Sequence, residues 1–177
     1  ALSEVCRKYD LPLFMDGARM GYGLMSYESD LTLADIATYC DAFYIGGTKV
    51  GAMFGEAVVF TNTRAPRAFF TTIKRHGALL AKGRMLGLQF DTLFTDDLYF
   101  RVARHANEMA ERLRDIFISH GKKMGVDSPT NQQFVILTPQ EKEQLMKSIA
   151  FEVWSPLPDG NILCRFVTSW ATTEEDL

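Results

Sequence analysis

The chain has 177 residues, and the 47% that are apolar are enough for the core of one domain or of a domain and a half. Its 19 basic and 22 acidic side chains give a net charge of -3, which argues against a nucleic-acid-binding surface. The three cysteines lack metal-ligand spacing, so we expect reduced, packed thiols in a cytoplasmic protein and no metal site. We find no signal peptide and no apolar run near the ~20 residues of a membrane span, so we expect neither secretion nor membrane insertion.

The first two predicted elements are a helix and a buried strand. Residues 1–9 have the pattern of an amphipathic helix, and the apolar run 11–15 is typical of a buried strand. This run ends in the dipeptide Asp16-Gly17, and Arg19 follows shortly after. A carboxylate at the end of a strand lies where open α/β sheets bind ligands. Asp-Gly is also a common turn dipeptide, so a simple turn is the alternative at this point.

A second strand at 42–45 leads into a glycine-rich loop with Lys49, and a further strand follows at 57–60. A lysine in such a loop can be desolvated, which lowers the pKa of the amine and lets it form an imine with a carbonyl compound. Most lysines are solvated surface charges, which is the alternative for Lys49 taken alone. A carboxylate (Asp16), a guanidinium (Arg19) and this lysine at successive strand ends are together the groups needed to hold pyridoxal 5'-phosphate (PLP).

The middle of the chain has the periodicity of helices, which we predict over residues 64–76, 79–94 and 96–120. Gly121 ends the last of these, which is long enough to connect two domains. Beyond it the pattern predicts a small α+β region. Its elements are a strand at 133–137, a helix opened by the capping box 138–141, and a hairpin that turns at 158–161 into a strand at 162–168.

Several short segments form a pattern known from one enzyme family: 14–19, 41–45, 48–52, 80–84, 130–131 and 163–168. Together they resemble the low-specificity threonine aldolases, which belong to the beta-eliminating lyase group of PLP enzymes with fold type I. The resemblance runs over nearly the whole chain. One difference is Thr48, where the aldolases commonly have serine, although a hydroxyl is retained.

The resemblance implies an α/β fold that is the C-terminal part of a longer enzyme. Residues 1–95 would form part of the PLP-binding large domain of the transferase-like fold type I, with its N-terminal half absent. Residues 96–121 would be the connecting helix, and residues 122–177 would form a small C-terminal α+β domain.

The resemblance also gives roles to the residues around the loop. Lys49 would be the catalytic lysine that binds the cofactor covalently. Asp16 would hold the proton on the ring nitrogen, Arg19 would bind the phenolic oxygen, and Thr48 would be a further cofactor-binding residue. The base that takes the β-hydroxyl proton is not identifiable from this sequence.

Three further basic residues have implied roles beside simpler alternatives. Lys82 would reach the cofactor phosphate, often in a neighbouring subunit, with Arg84 as the alternate; a solvated helix face also explains both. Arg165 would bind the substrate carboxylate as a bidentate pair. Alternation along its strand also allows Arg165 to lie on the solvent face, since an unpaired buried charge is costly.

The activity that the resemblance implies is cleavage of a β-hydroxy-α-amino acid, such as threonine or allo-threonine, to glycine and an aldehyde. Another PLP reaction, β-elimination or transamination, is the first alternative. A folded fragment without catalysis is the alternative of a different class. A site shared between subunits implies a homodimer or homotetramer that acts on a small amino acid.

Overall fold

The computed structural model describes residues 2–61 and 67–177, which separate into two compact units. The first consists of Ala1–Leu24 and Asp30–Phe100, and the second of Met25–Ser29 and Arg101–Leu177. Each unit has its own sheet. Their assignment to a large PLP domain and a small C-terminal domain stays a prediction.

The first unit combines helices with a three-stranded sheet in the order β1-β2-β3. Its elements are α1 (Leu2–Lys8), β1 (Phe14–Met15), α2 (Met20–Leu24), α3 (Leu33–Tyr39), β2 (Ala42–Gly46), β3 (Glu56–Phe60), α4 (Phe69–Arg75), α5 (Arg84–Phe94) and a 3-10 helix (Thr95–Asp97). Strand β1 is parallel to β2, and β2 is antiparallel to β3. Because β1 and β2 are parallel, the residues that follow β1 and the loop that follows β2 lie together at the carboxyl ends of these strands, which we call the edge of the sheet.

Two predicted helices of this unit differ from their observed bounds. The helix predicted at 64–76 is observed as α4, and residues 62–66 lie outside the described part of the chain. The helix predicted at 79–94 begins only at residue 84, where it follows a turn at 81–83, and Gly77 with φ of +67 comes just after the end of α4. Glycine is suited to this left-handed conformation. Lys82 therefore lies in a turn and not on a helix face.

The second unit is an antiparallel sheet with helices. Helix α6 (Leu98–Ser119) begins at the end of the first unit and continues into the second. The other elements are β4 (Lys123–Val126), β5 (Gln132–Leu137), α7 (Pro139–Leu145), β6 (Glu152–Pro156), β7 (Ile162–Val167) and a 3-10 helix (Glu174–Asp176). The strand order is β4-β5-β7-β6. The predicted hairpin and the predicted capping box of α7 are confirmed.

One face of this sheet carries the core of the second unit. The core side chains alternate along β5 and β7, as period-two burial requires, and are Val135, Leu137, Cys164 and Phe166. The ring of Phe166 stacks on Phe151 at 4.5 Å and meets Phe117 of α6 at 4.8 Å between centroids. The opposite face of β7 therefore carries Arg165.

Candidate active site

Asp16 lies directly after β1 with an exposed carboxylate. Its Oδ1 accepts a hydrogen bond from the Tyr44 hydroxyl and another from the backbone N–H of Ala18 at 3.0 Å. The bond from Tyr44, then that from Ala18, and last the charge of Lys49 lower the pKa of Asp16 below its ordinary 3.8. The same bond raises the pKa of Tyr44 to about 12. At neutral pH this site holds a carboxylate beside a neutral phenol.

Tyr44 is a site residue that the sequence did not single out. It lies within the apolar strand β2, where a tyrosine is usually a packing residue. The parallel register pairs Phe14 with Ala42 and Met15 with Phe43, so its continuation places Asp16 beside Tyr44. The contact between Tyr44 and Asp16 could therefore be identified from the sequence only by inferring the register of the two parallel strands.

Two glycines let the chain segments at this edge approach closely. The N–H of Gly46 donates to the carbonyl of Gly17 at 2.9 Å. A Cβ on Gly17 would lie 1.7 Å from the carbonyl oxygen of Tyr44, and a Cβ on Gly46 would lie 2.4 Å from that of Ala18. Backbone atoms cannot move aside as a flexible side chain can, so both positions require glycine.

The loop after β2 fixes the backbone of Lys49. The N–H groups of Val50 and Ala52 both donate to the carbonyl of Gly47, at 2.9 and 3.0 Å. The hydroxyl of buried Tyr22 donates to the carbonyl of Lys49. Val50 is fully buried, so the residue after Lys49 is anchored in the core.

The side chains of Thr48 and Lys49 themselves are exposed. The desolvation of Lys49 expected from the glycine-rich context is therefore not observed. The physical reason is that Lys49 lies in a turn beyond the end of β2, so neither neighbouring strand covers it. Asp16 and Lys49 nevertheless lie at the same edge of the sheet, because each follows the carboxyl end of one of the parallel strands β1 and β2, and the charge of Lys49 acts on Asp16.

Arg19 lies in the turn before α2 and is half-buried. Its Nε is buried and has no hydrogen-bond partner within residues 2–61 and 67–177. Its positive charge acts on Tyr22, although burial dominates there and raises the pKa of Tyr22 to about 12. Since buried donors normally have partners, Arg19 retains donor capacity for a bound acceptor.

The candidate phosphate residues Lys82 and Arg84 are both exposed, the first in the turn before α5 and the second at its start. No described contact joins either of them to Asp16 or Lys49. Their role toward a phosphate stays a prediction.

Arg165 lies in the second unit and already has partners in its own sheet. Its guanidinium donates to Gln132 Oε1 at 2.8 Å, forms an ion pair with Glu152, and stacks on Trp154 with its central carbon 4.9 Å from the ring centroid. Arg165 lies on the face of the sheet opposite the core, as the solvent-facing alternative has it, but these partners leave only 15% of its side chain exposed. The Nε is buried without a partner in the described part of the chain, so one donor remains.

Two negative findings concern the described residues as a whole. Outside residues 1 and 62–66, the structure has no cluster of three or more His, Cys, Asp or Glu side chains that could hold a metal ion. Among the same residues, we find no helix with the length and apolar character of a membrane span.

Comparison with known proteins gives consistent matches over nearly the whole chain. The model of the beta-eliminating lyase family matches residues 1–138. Low-specificity L-threonine aldolases of Pseudomonas aeruginosa and of another Pseudomonas strain are 28% and 30% identical, over 99% and 98% of this chain and 50% of each relative. The solved threonine aldolase of Leishmania major superposes with a TM-score of 0.94 at 42% identity, over 99% of this chain and 51% of that one.

The architecture and these matches define the fold as the type I fold of PLP-dependent enzymes, as expected from the sequence. The chain belongs to the beta-eliminating lyase family. It resembles the threonine aldolases within it and spans about half the length of the curated relatives it matches.

The residues at the edge of the first sheet fit PLP. Asp16 supplies an ionised carboxylate, Lys49 an exposed amine, and Arg19 a buried N–H without a partner among the described residues. These groups match the pyridine nitrogen, the aldehyde and the phenolic oxygen of the cofactor in chemical type.

Proposed function

We propose that the protein containing this chain uses PLP to cleave a β-hydroxy-α-amino acid, such as threonine or allo-threonine, to glycine and an aldehyde. The observation that carries the proposal is that ionised Asp16 and exposed Lys49 both follow the carboxyl ends of the parallel strands β1 and β2. Relatives described as low-specificity L-threonine aldolases support the substrate class.

Each proposed residue contributes a separate task. When bound, PLP supplies an electron sink for the bond that breaks at the α-carbon of the amino acid. Lys49 holds the cofactor through its amine and Asp16 keeps a proton at the ring nitrogen. Arg19 donates to the phenolic oxygen, and the hydroxyl of Thr48 lies next to the lysine in sequence.

We propose roles for three further basic residues. Lys82 provides a positive charge for the cofactor phosphate, with Arg84 as the alternate. Arg165 binds the carboxylate of the amino acid with the donors that Gln132 and Glu152 leave free. We propose that the site works in a homodimer or homotetramer, and that the second unit corresponds to the small C-terminal domain.

Replacing the lysine tests the proposal directly. In the full-length protein, Lys49→Ala should abolish both cofactor attachment and threonine cleavage while leaving the fold intact, because only an exposed amine is lost. Borohydride reduction followed by peptide mass mapping locates the attachment site. Lys147→Ala, at another exposed lysine, is the matched control and should retain both properties.

Attachment that persists in Lys49→Ala after reduction would show that another lysine holds the cofactor. A wild-type protein that neither attaches PLP nor cleaves threonine would contradict the proposed function as a whole.

β-Elimination is the second candidate, because the matched family is described as beta-eliminating lyases. Product analysis separates the reactions. Glycine and an aldehyde from threonine support the aldolase, whereas pyruvate and ammonia from a β-substituted alanine support elimination, and amino transfer to a keto acid supports an aminotransferase.

A further inference from the structure

The hydrogen bonds of Asp16 are distributed unequally over its two oxygens. The Tyr44 hydroxyl and the Ala18 N–H both donate to Oδ1. No donor among residues 2–61 and 67–177 reaches Oδ2. One oxygen is thus held by the protein, and the other is left as an acceptor.

The contribution of Tyr44 is orientation and not ionisation. A carboxyl group with the ordinary pKa of 3.8 is already ionised at neutral pH, so a further decrease adds almost no charge. The terminal torsion of an aspartate is soft, and an exposed carboxylate rotates readily. Two donors on one oxygen restrict that rotation.

The ring of Tyr44 is itself fixed by its strand. It lies in the middle of β2 and contacts Phe14 of β1, with 6.1 Å between ring centroids. The charges that act on this pair are Lys49 on the carboxylate and Glu56 on the phenol. Neither donates a hydrogen bond to Asp16, so Tyr44 supplies the only side-chain donor to it among the described residues.

We propose that Tyr44 is a positioning residue that holds Asp16 Oδ1 so that Oδ2 accepts a hydrogen bond from the protonated nitrogen of a pyridine ligand. This proposal rests on the proposed function, since the ligand is the ring of PLP or a pyridine compound of the same shape. Tyr44 acts through Asp16 and has no part in the bond-breaking chemistry.

A double-mutant cycle on ligand affinity tests this role. The full-length protein is titrated calorimetrically with pyridoxine 5'-phosphate, which lacks the aldehyde and so does not depend on attachment to Lys49. We expect Tyr44→Phe to weaken binding by roughly three- to tenfold, since a hydrogen bond to an exposed charge is lost. In the Asp16→Ala background the same replacement should have no further effect.

The matched control is Tyr39→Phe, at an exposed tyrosine of α3, which should bind like the wild type. Circular dichroism and thermal unfolding establish that each variant is folded.

The outcomes separate the two proposals. Wild-type binding that Tyr44→Phe leaves unchanged overturns the positioning role and spares the proposed function. An equal loss in both backgrounds also overturns it, because Tyr44 would then act on the general structure and not through Asp16. A wild type that does not bind pyridoxine 5'-phosphate also overturns the positioning role, whereas the proposed function is judged separately by PLP attachment at Lys49 and threonine cleavage.

Discussion

The guanidinium of Arg165 has a carboxylate partner before any substrate arrives. Glu152 lies on the edge strand β6 directly opposite Arg165, and 61% of its side chain is exposed. Because the carboxylate of this pair is largely exposed to solvent, the pair contributes about 1 kcal/mol at most, so a substrate carboxylate can compete with it. The same pair nevertheless reduces the charge that Arg165 presents to an amino acid.

This arrangement predicts that Glu152→Gln strengthens amino-acid binding. The amide keeps the shape of the side chain but removes its negative charge, so the affinity for glycine should rise by up to about fivefold. The spectral change of the PLP-loaded protein on glycine addition gives the dissociation constant. Glu143→Gln removes an exposed carboxylate of α7 and is the control that should leave the affinity unchanged. Weaker binding by Glu152→Gln would mean that Glu152 orients Arg165 more than it competes.

Two helices hold the lysine loop through buried tyrosines. Tyr22 of α2 donates to the carbonyl of Lys49. Tyr99, at the start of α6, donates to the carbonyl of Gly46 at 3.0 Å and accepts from the N–H of Gly21 at 3.1 Å. Both tyrosines are 1% exposed or less. The position of Lys49 therefore depends on hydroxyl groups that bond to the backbone of the loop and stay neutral at neutral pH.

These tyrosines predict a loss of stability in alkali. Burial raises the pKa of Tyr22 from 10.0 to about 12, and burial raises that of Tyr99 as well. Above pH 10 the folded state therefore binds more protons than the unfolded state. The contribution of Tyr22 to the free energy of unfolding is fully present below pH 10 and decreases as the pH rises from 10 to about 12.

Urea unfolding between about pH 8 and about pH 11 measures this slope. Tyr22→Phe should be less stable at neutral pH by about 1 kcal/mol, through the lost hydrogen bond, and should show a shallower alkaline slope by up to one proton. Tyr9→Phe, at a largely exposed tyrosine, should keep the wild-type slope. Parallel pH profiles for wild type and Tyr22→Phe would contradict the assignment.

Sequence patterns identified the elements that carry their own local signals. The hairpin β2-β3 and the capping box of α7 were predicted because strand periodicity and cap chemistry are local. Strand β4 was missed because it is short and contains Gly125, which weakens a strand pattern. The sequence also identifies Asp16, Arg19 and Lys49, because each has a charged side chain and follows the end of a predicted strand.

The contacts that hold those groups depend on tertiary structure, which a sequence pattern does not contain. Tyr44 looked like a packing residue, and the roles of Tyr22 and Tyr99 require the approach of helices distant in sequence. The exposure of Lys49 likewise follows from where the turn lies and not from the glycines around it.

At the scale of the whole molecule, the residues proposed for the cofactor and the residue proposed for the substrate carboxylate belong to different compact units. Asp16 and Lys49 belong to the first unit and Arg165 to the second. The division predicts that cofactor chemistry and substrate affinity can be impaired separately.

Asp16→Ala should retain attached PLP but lower the rate of threonine cleavage by orders of magnitude, because the ring nitrogen loses its partner. Arg165→Ala should keep the cofactor and weaken amino-acid binding roughly 30- to 1000-fold, from a lost pair worth on the order of 2–4 kcal/mol. Steady-state kinetics with a glycine titration distinguish the two. Equal glycine affinity in wild type and Arg165→Ala would remove Arg165 from the site.

The close approach of the backbone at Gly17 and Gly46 has a consequence for saturation mutagenesis of this protein. In a saturation library, every amino-acid replacement at these positions adds at least a Cβ, which meets a backbone carbonyl oxygen at 1.7 or 2.4 Å. Variants at both positions should therefore be depleted in a selection for protein abundance as well as in a selection for activity. Variants of a residue that takes part in the chemistry, such as Lys49, should be depleted only in the selection for activity. Comparing the two selections would distinguish the residues that the site needs for folding from those that it needs for catalysis, without a structure of a complex.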